Sequence, residues 1–265
     1  MVMCRVLPLF VYLFVLCSAW GAEPPVLIAH RGGVGFGVEN SISCIARSVA
    51  LGVEAVEIDV RLTRDGVLVV FHDARVDVLT DGKGRISEMT LGEVQALRLV
   101  DADGCATAER IPTLGQVLAF VEGRCKVLVE AKCSRSEARR VAISLNEAIV
   151  SCGAAGWVSV QSFSDALLEE LNALGVSYPL EKLFVFKVPL LPFIYDGGFR
   201  LFSLKKYAHI SSFNIHFSCL NAALVNAMHE AGKGVKVWTL DYPFDTFSLP
   251  VDGVITDFPL RCGCR

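Results

Sequence analysis

Two histidines, His30 and His72, lie among carboxylates and cations in a set of short polar motifs, each placed just past an apolar, strand-like run. The motifs are His30-Arg31-Gly32, Glu39-Asn40-Ser41, Glu57-Ile58-Asp59, His72-Asp73, Glu130-Ala131-Lys132 and Gln161-Ser162-Phe163. Such a set can hold a hard divalent metal through carboxylate oxygens, grip a phosphate, and move protons through imidazoles that titrate near neutrality. Each motif alone is weak. The ordered set is hard to explain as core packing, because Glu57 and Asp59 fall in a run that reads as buried, where unpaired carboxylates are costly.

Chemistry of this kind needs a scaffold that gathers distant segments. Residues 26–29 form a short apolar run ending at His30, and 55–62, 126–131, 157–161, 183–186, 210–215, 235–240 and 253–256 bring the predicted strands to eight. Helical periodicity falls between most of them, over 41–51, 114–121, 136–150, 165–174 and 222–230. The first of these carries Ile42, Ile45, Ala46 and Val49 on one face and Gly52 as its stop. Pro189, Pro192 and Gly197-Gly198 predict a loop and a short helix over 187–207. Strands alternating with helices predict an α/β fold, a (β/α)8 TIM barrel, in which active sites gather at the carboxyl ends of the strands. A doubly wound open sheet is the alternative. It is disfavoured because His30-Arg31-Gly32-Gly33-Val34-Gly35 is not a dinucleotide-binding fingerprint.

After the second strand, Asp65-Gly66 predicts a two-residue hairpin turn. That turn would pair Leu62 with Val69, Val60 with Phe71 and Asp59 with His72, delivering the histidine to the face that carries Glu57 and Asp59. A bulge at the turn would shift the pairing by one residue. Residues 74–112 then contain no barrel strand; the turn at Asp81-Gly82-Lys83-Gly84 and the Thr90-to-Glu93 capping pattern predict an insertion with one helix over the barrel mouth.

An apolar content of 53% over 265 residues allows one large core, and a net charge of −3 offers no basic excess for nucleic acid. Arg5, the apolar run 6–20 and the small residues Ser18, Ala19, Gly21 and Ala22 predict an export signal over 1–21, with the barrel domain in 22–265. The run is short and contains Pro8, which weighs against a membrane span in the mature chain; an uncleaved anchor or a lipidated Cys17 are the alternatives, the latter opposed by bulky Leu16. The expected location is therefore the periplasm or the exterior. Eight cysteines remain past the leader; some could pair in an oxidising compartment, or most could be small buried apolar residues. The sequence does not set the oligomeric state.

Taken together, these pieces resemble the glycerophosphodiester phosphodiesterase family. Besides the motifs above, Leu62-Thr63-Arg64-Asp65-Gly66, Val70-Phe71-His72-Asp73, Ile111-Pro112-Thr113-Leu114, Trp238-Thr239 and Asp252-Gly253-Val254-Ile255-Thr256-Asp257 occur in family order across nearly the whole mature chain. The resemblance implies a phospholipase C-like barrel that releases glycerol 3-phosphate and an alcohol from a small-molecule diester, using two histidines and one divalent cation, Ca2+ or Mg2+. Carried over by motif, it implies metal ligands Glu57, Asp59 and Glu130, catalytic His30 and His72, and phosphate contacts from Arg31 and Lys132. Glu39 and Asn40 would stand behind these; Glu39 could instead merely cap the first helix. Trp238 could line the pocket or belong to the core. Three departures stand out: Ser41 where threonine is common, a tail after Asp257 too short for a full eighth helix, and a stretch at 241–250 poor in helix. Two other functions compete. One is a lysophospholipase D or phospholipase-like activity, motivated by the apolar run 184–194; the other is a non-catalytic surface binder that retains the barrel.

Overall fold

The computed structural model describes residues 24–184, 204–242 and 248–262. Eight parallel strands close a barrel: β1 (Val26–Ala29), β2 (Ala55–Leu62), β4 (Lys126–Ala131), β5 (Val158–Ser162), β6 (Leu180–Phe184), β7 (Ser212–His216), β8 (Gly234–Trp238) and β9 (Gly253–Thr256), with β9 pairing back to β1. A ninth strand, β3 (Leu68–Val70), lies antiparallel on β2. The helices are α1 (Ile42–Leu51), α2 (Leu91–Ala96), α3 (Leu114–Val121), α4 (Ala138–Ser151), α5 (Asp165–Ala173), α6 (Ala222–Glu230) and the single turn α7 (Pro259–Cys262). The expected (β/α)8 barrel is therefore present. Most elements fall within two or three residues of expectation; the largest shift is β6, which begins at Leu180 rather than 183. The short terminal helix also appears as expected.

Strand alternation sorts the side chains into two layers. Val56, Ile58, Val60 and Leu62 of β2, with Val127, Val129 and Ala131 of β4, pack outward against Leu114, Val117, Leu118, Leu145 and Ile149 of the helices. The opposite face points into the barrel. There Ile28, Ala55, Leu128 and Ile255 form an apolar floor, and Glu57, Asp59 and Glu130 follow on the same strands toward the carboxyl end. Buried parallel strands rich in Val and Ile make this lining rigid.

Helix ends are specified locally. Ser41 accepts a hydrogen bond from the Cys44 amide at the start of α1, and Gly52 closes that helix at φ +81°. Thr113 with Gln116, and Thr90 with Glu93, form reciprocal capping boxes on α3 and α2.

The hairpin differs from expectation by one residue. Val60 pairs with Val70 and Leu62 with Leu68, because the loop holds three residues, Arg64, Asp65 and Gly66, closed by Gly66 at φ +89°. A three-residue loop with a left-handed glycine adds a bulge, and one residue of register flips every partner. Asp59 is thus opposite Phe71, whose amide donates to the Asp59 carbonyl at 2.9 Å, rather than opposite His72. Phe71 instead joins Val69, Val76, Ile86, Val94, Leu99 and Ile111 in a small separate core. That core holds residues 74–112 against the hairpin, and Val38 of the first βα loop packs on it.

The expected leader (1–21), Cys17 and the apolar run beyond Phe184 lie outside the described residues, as does Cys264. Cys44, Cys105, Cys125, Cys133, Cys152 and Cys262 are free thiols, and Cys44, Cys125, Cys219 and Cys262 are buried. Among the described residues no helix is long and apolar enough to cross a membrane.

Candidate active site

Three carboxylates converge inside the carboxyl end of the barrel. Glu57, Asp59 and Glu130 each offer an oxygen, and these atoms lie within 4.8 Å of one another. The register explains the meeting: Asp59 sits beside Glu130 across β2 and β4, and Glu57 is two residues back on the same face. Glu57 and Asp59 are 0% exposed and Glu130 is 7% exposed.

Two cations border the cluster. Lys132 Nζ is 3.0 Å from Asp59 Oδ1 and also hydrogen-bonds Glu130. Arg31 donates its amide to Glu57 Oε2 at 2.9 Å, clasps both oxygens of Glu39 at 2.9 Å, and brings Nε to 3.7 Å from Asp59 Oδ2. Asn40 binds Asp59 twice, donating Nδ2 to Oδ2 at 2.9 Å and accepting from the Asp59 amide at 3.1 Å. Glu39 therefore orients Arg31, and the cap of α1 is Ser41.

The loop after β1 reaches this geometry through left-handed backbone: Arg31 at φ +48°, Gly32 at +82° and Asn40 at +60°. Such conformations are uncommon for residues other than glycine and cluster at functional sites.

Each histidine is held by an adjacent carboxylate. His30 Nδ1 is 2.6 Å from Asp257 Oδ1, with Nε2 4.0 Å from Glu57 Oε2. His72 Nδ1 is 2.7 Å from Asp73 Oδ1, and the loop after β3, not the ladder, brings its ring into the field of Asp59 and Lys132.

Burial and charge set the protonation tendencies. Burial and the neighbouring Asp59 push the Glu57 carboxyl up, and the same pair of causes raises Glu130. Burial would raise Asp59 too, but Lys132, His72, the Asn40 hydrogen bond and Arg31 outweigh it and hold Asp59 low. Burial alone would lower His30; Asp257 and Glu57 reverse that and raise it. At His72 burial prevails over Asp59 and lowers the ring.

An all-oxygen set of three buried carboxylates fits a hard divalent cation such as Ca2+ or Mg2+. Arg31 is shared with Glu39 and one lysine serves both Asp59 and Glu130, so the cluster stays short of positive charge.

Behind the carboxylates runs a chain of polar side chains. Gln161 Nε2 donates to Glu57 Oε1 at 3.2 Å; Asn214 Nδ2 donates to Gln161 Oε1 at 2.6 Å and to Glu181 Oε2 at 2.8 Å; Lys236 Nζ reaches Glu181 at 2.5 Å. Trp238 is partly buried and packs on the apolar floor. Its Nε1 donates to the Asn214 carbonyl at 3.0 Å, while its ring packs edge-on against Phe163 and His216 at the mouth.

Sequence reasoning assigned no role to Asp257, Asp73, Asn214, Glu181 or Lys236. Asp257 follows β9 as His30 follows β1, so the rule of polar residues just past strands could have found it. Nothing local marks Asn214, Glu181 or Lys236.

The sequence matches the family described as the glycerophosphoryl diester phosphodiesterase family over residues 30–261. It is 30% identical over 240 residues to YhdW of Bacillus subtilis (strain 168), covering 88% of this chain and 94% of that protein. It is likewise 30% identical over 239 residues to a glycerophosphodiester phosphodiesterase of Caldanaerobacter subterraneus subsp. tengcongensis, covering 88% and 94%. An Oleispira antarctica phosphodiesterase, solved in complex with the product sn-glycerol-3-phosphate, has the same fold, with TM-score 0.76, 23% identity and coverage of 90% and 95%.

Proposed function

The chain belongs to the glycerophosphoryl diester phosphodiesterase family, and we propose that it hydrolyses glycerophosphodiesters to glycerol 3-phosphate and an alcohol, with one divalent cation held by Glu57, Asp59 and Glu130. The convergence of those three buried carboxylates between two cations and two carboxylate-oriented histidines carries this proposal.

A phosphodiester anion repels nucleophiles, and its departing alkoxide is strongly basic. When bound, the cation supplies positive charge for the phosphoryl oxygens. Arg31 offers a planar fork to the phosphate and Lys132 a compact charge beside it. Asp257 and Asp73 fix the two imidazoles, so that one of His30 and His72 takes the proton of the attacking oxygen, from water or from a substrate hydroxyl whose cyclic phosphate water then opens, and the other gives one to the leaving oxygen. Asn40 holds Asp59 and Gln161 holds Glu57 in place for the metal. Residues 74–112 pack on the hairpin that delivers His72.

Release of glycerol 3-phosphate from glycerophosphocholine, glycerophosphoethanolamine and glycerophosphoglycerol tests this directly. Turnover is expected with Ca2+ or Mg2+, lost on chelation and restored by the ion. Absence of turnover in metal-loaded protein would overturn it and favour a non-catalytic binder. His30→Ala is expected to lose at least about 10²-fold in kcat while keeping ligand affinity.

One observation favours a lipid substrate as the second possibility. Phe163 and Phe217 are 39% and 40% exposed beside Trp238 and His216, forming an aromatic rim suited to an acyl chain. Faster cleavage of lysophosphatidylcholine than of glycerophosphocholine would select it.

The apolar start of the chain supports export, by a leader cleaved near residue 21 or retained as an anchor. Fractionation with N-terminal sequencing tests this.

A further inference from the structure

A second polar cleft opens beside the carboxylate cluster. It has a volume of about 220 Å³ and lies between the β2 hairpin with its insertion and the loop after β4. Arg61, Arg85, Ser87, Lys132 and Ser134 line it, with Glu137 as its one acidic wall residue.

Arg61 is the notable member. It extends the inward face of β2, two residues past Asp59, and is half-buried. Among the described residues its side chain makes one hydrogen bond, Nε to the His72 carbonyl at 2.8 Å, and no ion pair. Its terminal guanidinium nitrogens therefore lack a protein acceptor. The acids whose charge reaches Arg61 are each engaged elsewhere: Lys132 binds Asp59 and Glu130, Asp73 holds His72 Nδ1 at 2.7 Å, and Glu137 accepts from the Ser134 amide at 3.0 Å and its hydroxyl at 2.5 Å. Arg85 also has no ion pair among the described residues. A half-buried guanidinium with open donors is costly without an anion, and its fork matches a carboxylate or a phosphate.

We propose that this cleft is a subsite for a second anionic group, a carboxylate or a phosphate, on the alcohol half of the diester, so that the preferred substrates are glycerophosphodiesters of anionic alcohols. This rests on the phosphodiesterase function proposed above. Lys132 borders both the carboxylate cluster and the cleft, so a diester whose phosphate meets Lys132 reaches Arg61 with one substituent. The glycerol half is neutral and offers only hydroxyl acceptors, whereas an anionic alcohol half matches both the charge and the fork of the guanidinium.

Two matched substrate pairs isolate the extra charge. Glycerophosphoserine differs from glycerophosphoethanolamine by one carboxylate, and glycerophosphoglycerol phosphate differs from glycerophosphoglycerol by one phosphate. The ratio within each pair is measured as kcat/KM in the metal-loaded wild type and as Kd in the His30→Ala protein by calorimetry. At least one pair is expected to favour its anionic member about tenfold or more in both measures, and which pair does so tells carboxylate from phosphate. Arg61→Gln should bring that ratio close to one, and exposed Arg85→Gln, which cannot upset the core, should lower it several-fold. A general loss of folding or of catalysis leaves a ratio unchanged. Ratios near one in both pairs, or a ratio that survives both substitutions, would overturn the subsite while leaving the phosphodiesterase intact. A tenfold Kd ratio without any turnover would keep the subsite and discard the hydrolase.

Discussion

Asn40 shows how much of the site depends on residues that hold another side chain in place. It binds both the carboxylate and the amide of Asp59. Asn40→Ala is expected to weaken Ca2+ or Mg2+ binding about 10- to 100-fold, the usual cost of losing a partner behind a metal ligand; calorimetric titration checks this without relying on turnover. Asp257→Asn should leave metal affinity nearly unchanged and lower kcat, because Asp257 touches His30 and none of the three carboxylates. His30, Arg31 and Lys132 could be picked from the sequence because each follows an apolar run, and Glu57, Asp59 and Glu130 because they are carboxylates in family motifs within runs that read as buried, where unpaired charge is costly. Asn214 and Glu181 could not, since a polar residue inside a strand looks the same whether it faces a partner or a cavity.

At the scale of elements, two short segments position most of the chemistry. The turn after β1 carries His30 and Arg31, and it closes on α1 so tightly that a Cβ on Gly32 would lie 2.8 Å from Ile45 Cγ1, at φ +82°. Gly32→Ala is expected to cost about 1–2 kcal/mol from the backbone alone and to displace His30, read as a lower Tm together with a lower kcat. At the start of α3, Thr113→Ala removes the side-chain half of a capping box, the hydroxyl that accepts from the Gln116 amide, and should cost about 1 kcal/mol while leaving kcat intact. The hairpin is the instructive difference. Its existence was legible from Asp65-Gly66, but its register was not, because two- and three-residue loops share that dipeptide and only packing of Phe71 into the insertion's core chooses between them.

For the whole molecule, the barrel's stability is tied to charge outside the active site. Asp165 opens α5 and joins Lys182 of β6 to Lys206. Burial would raise its carboxyl, but the Lys206 hydrogen bond and the Lys182 charge outweigh this and hold it below the usual carboxylate value. A carboxyl lowered on folding contributes its full stability above the unfolded pKa of about 4 and loses it as pH falls through the lower folded value. The wild-type Tm should therefore drop below about pH 4 more steeply than that of Asp165→Asn, as thermal melts across pH 2–6 would show. The aromatic group of Phe163, Phe217 and Trp238 and the arginine cleft share no lining residue, so the proposed acyl and anion preferences can be varied separately.

Sequence alone determined the barrel, the order of its strands and the inward set of carboxylates, because alternation along a strand and periodicity along a helix are local and survive without a fold. Even the family resemblance rests on those local strings. Tertiary structure decided what no local string encodes: that Asp257, just past the last strand, orients the histidine that follows the first, that a one-residue bulge moves His72 off the ladder, and that the terminal guanidinium nitrogens of Arg61 find no acceptor among the described residues. Each depends on distances between segments far apart in the chain, and those distances exist only once the sheet has closed.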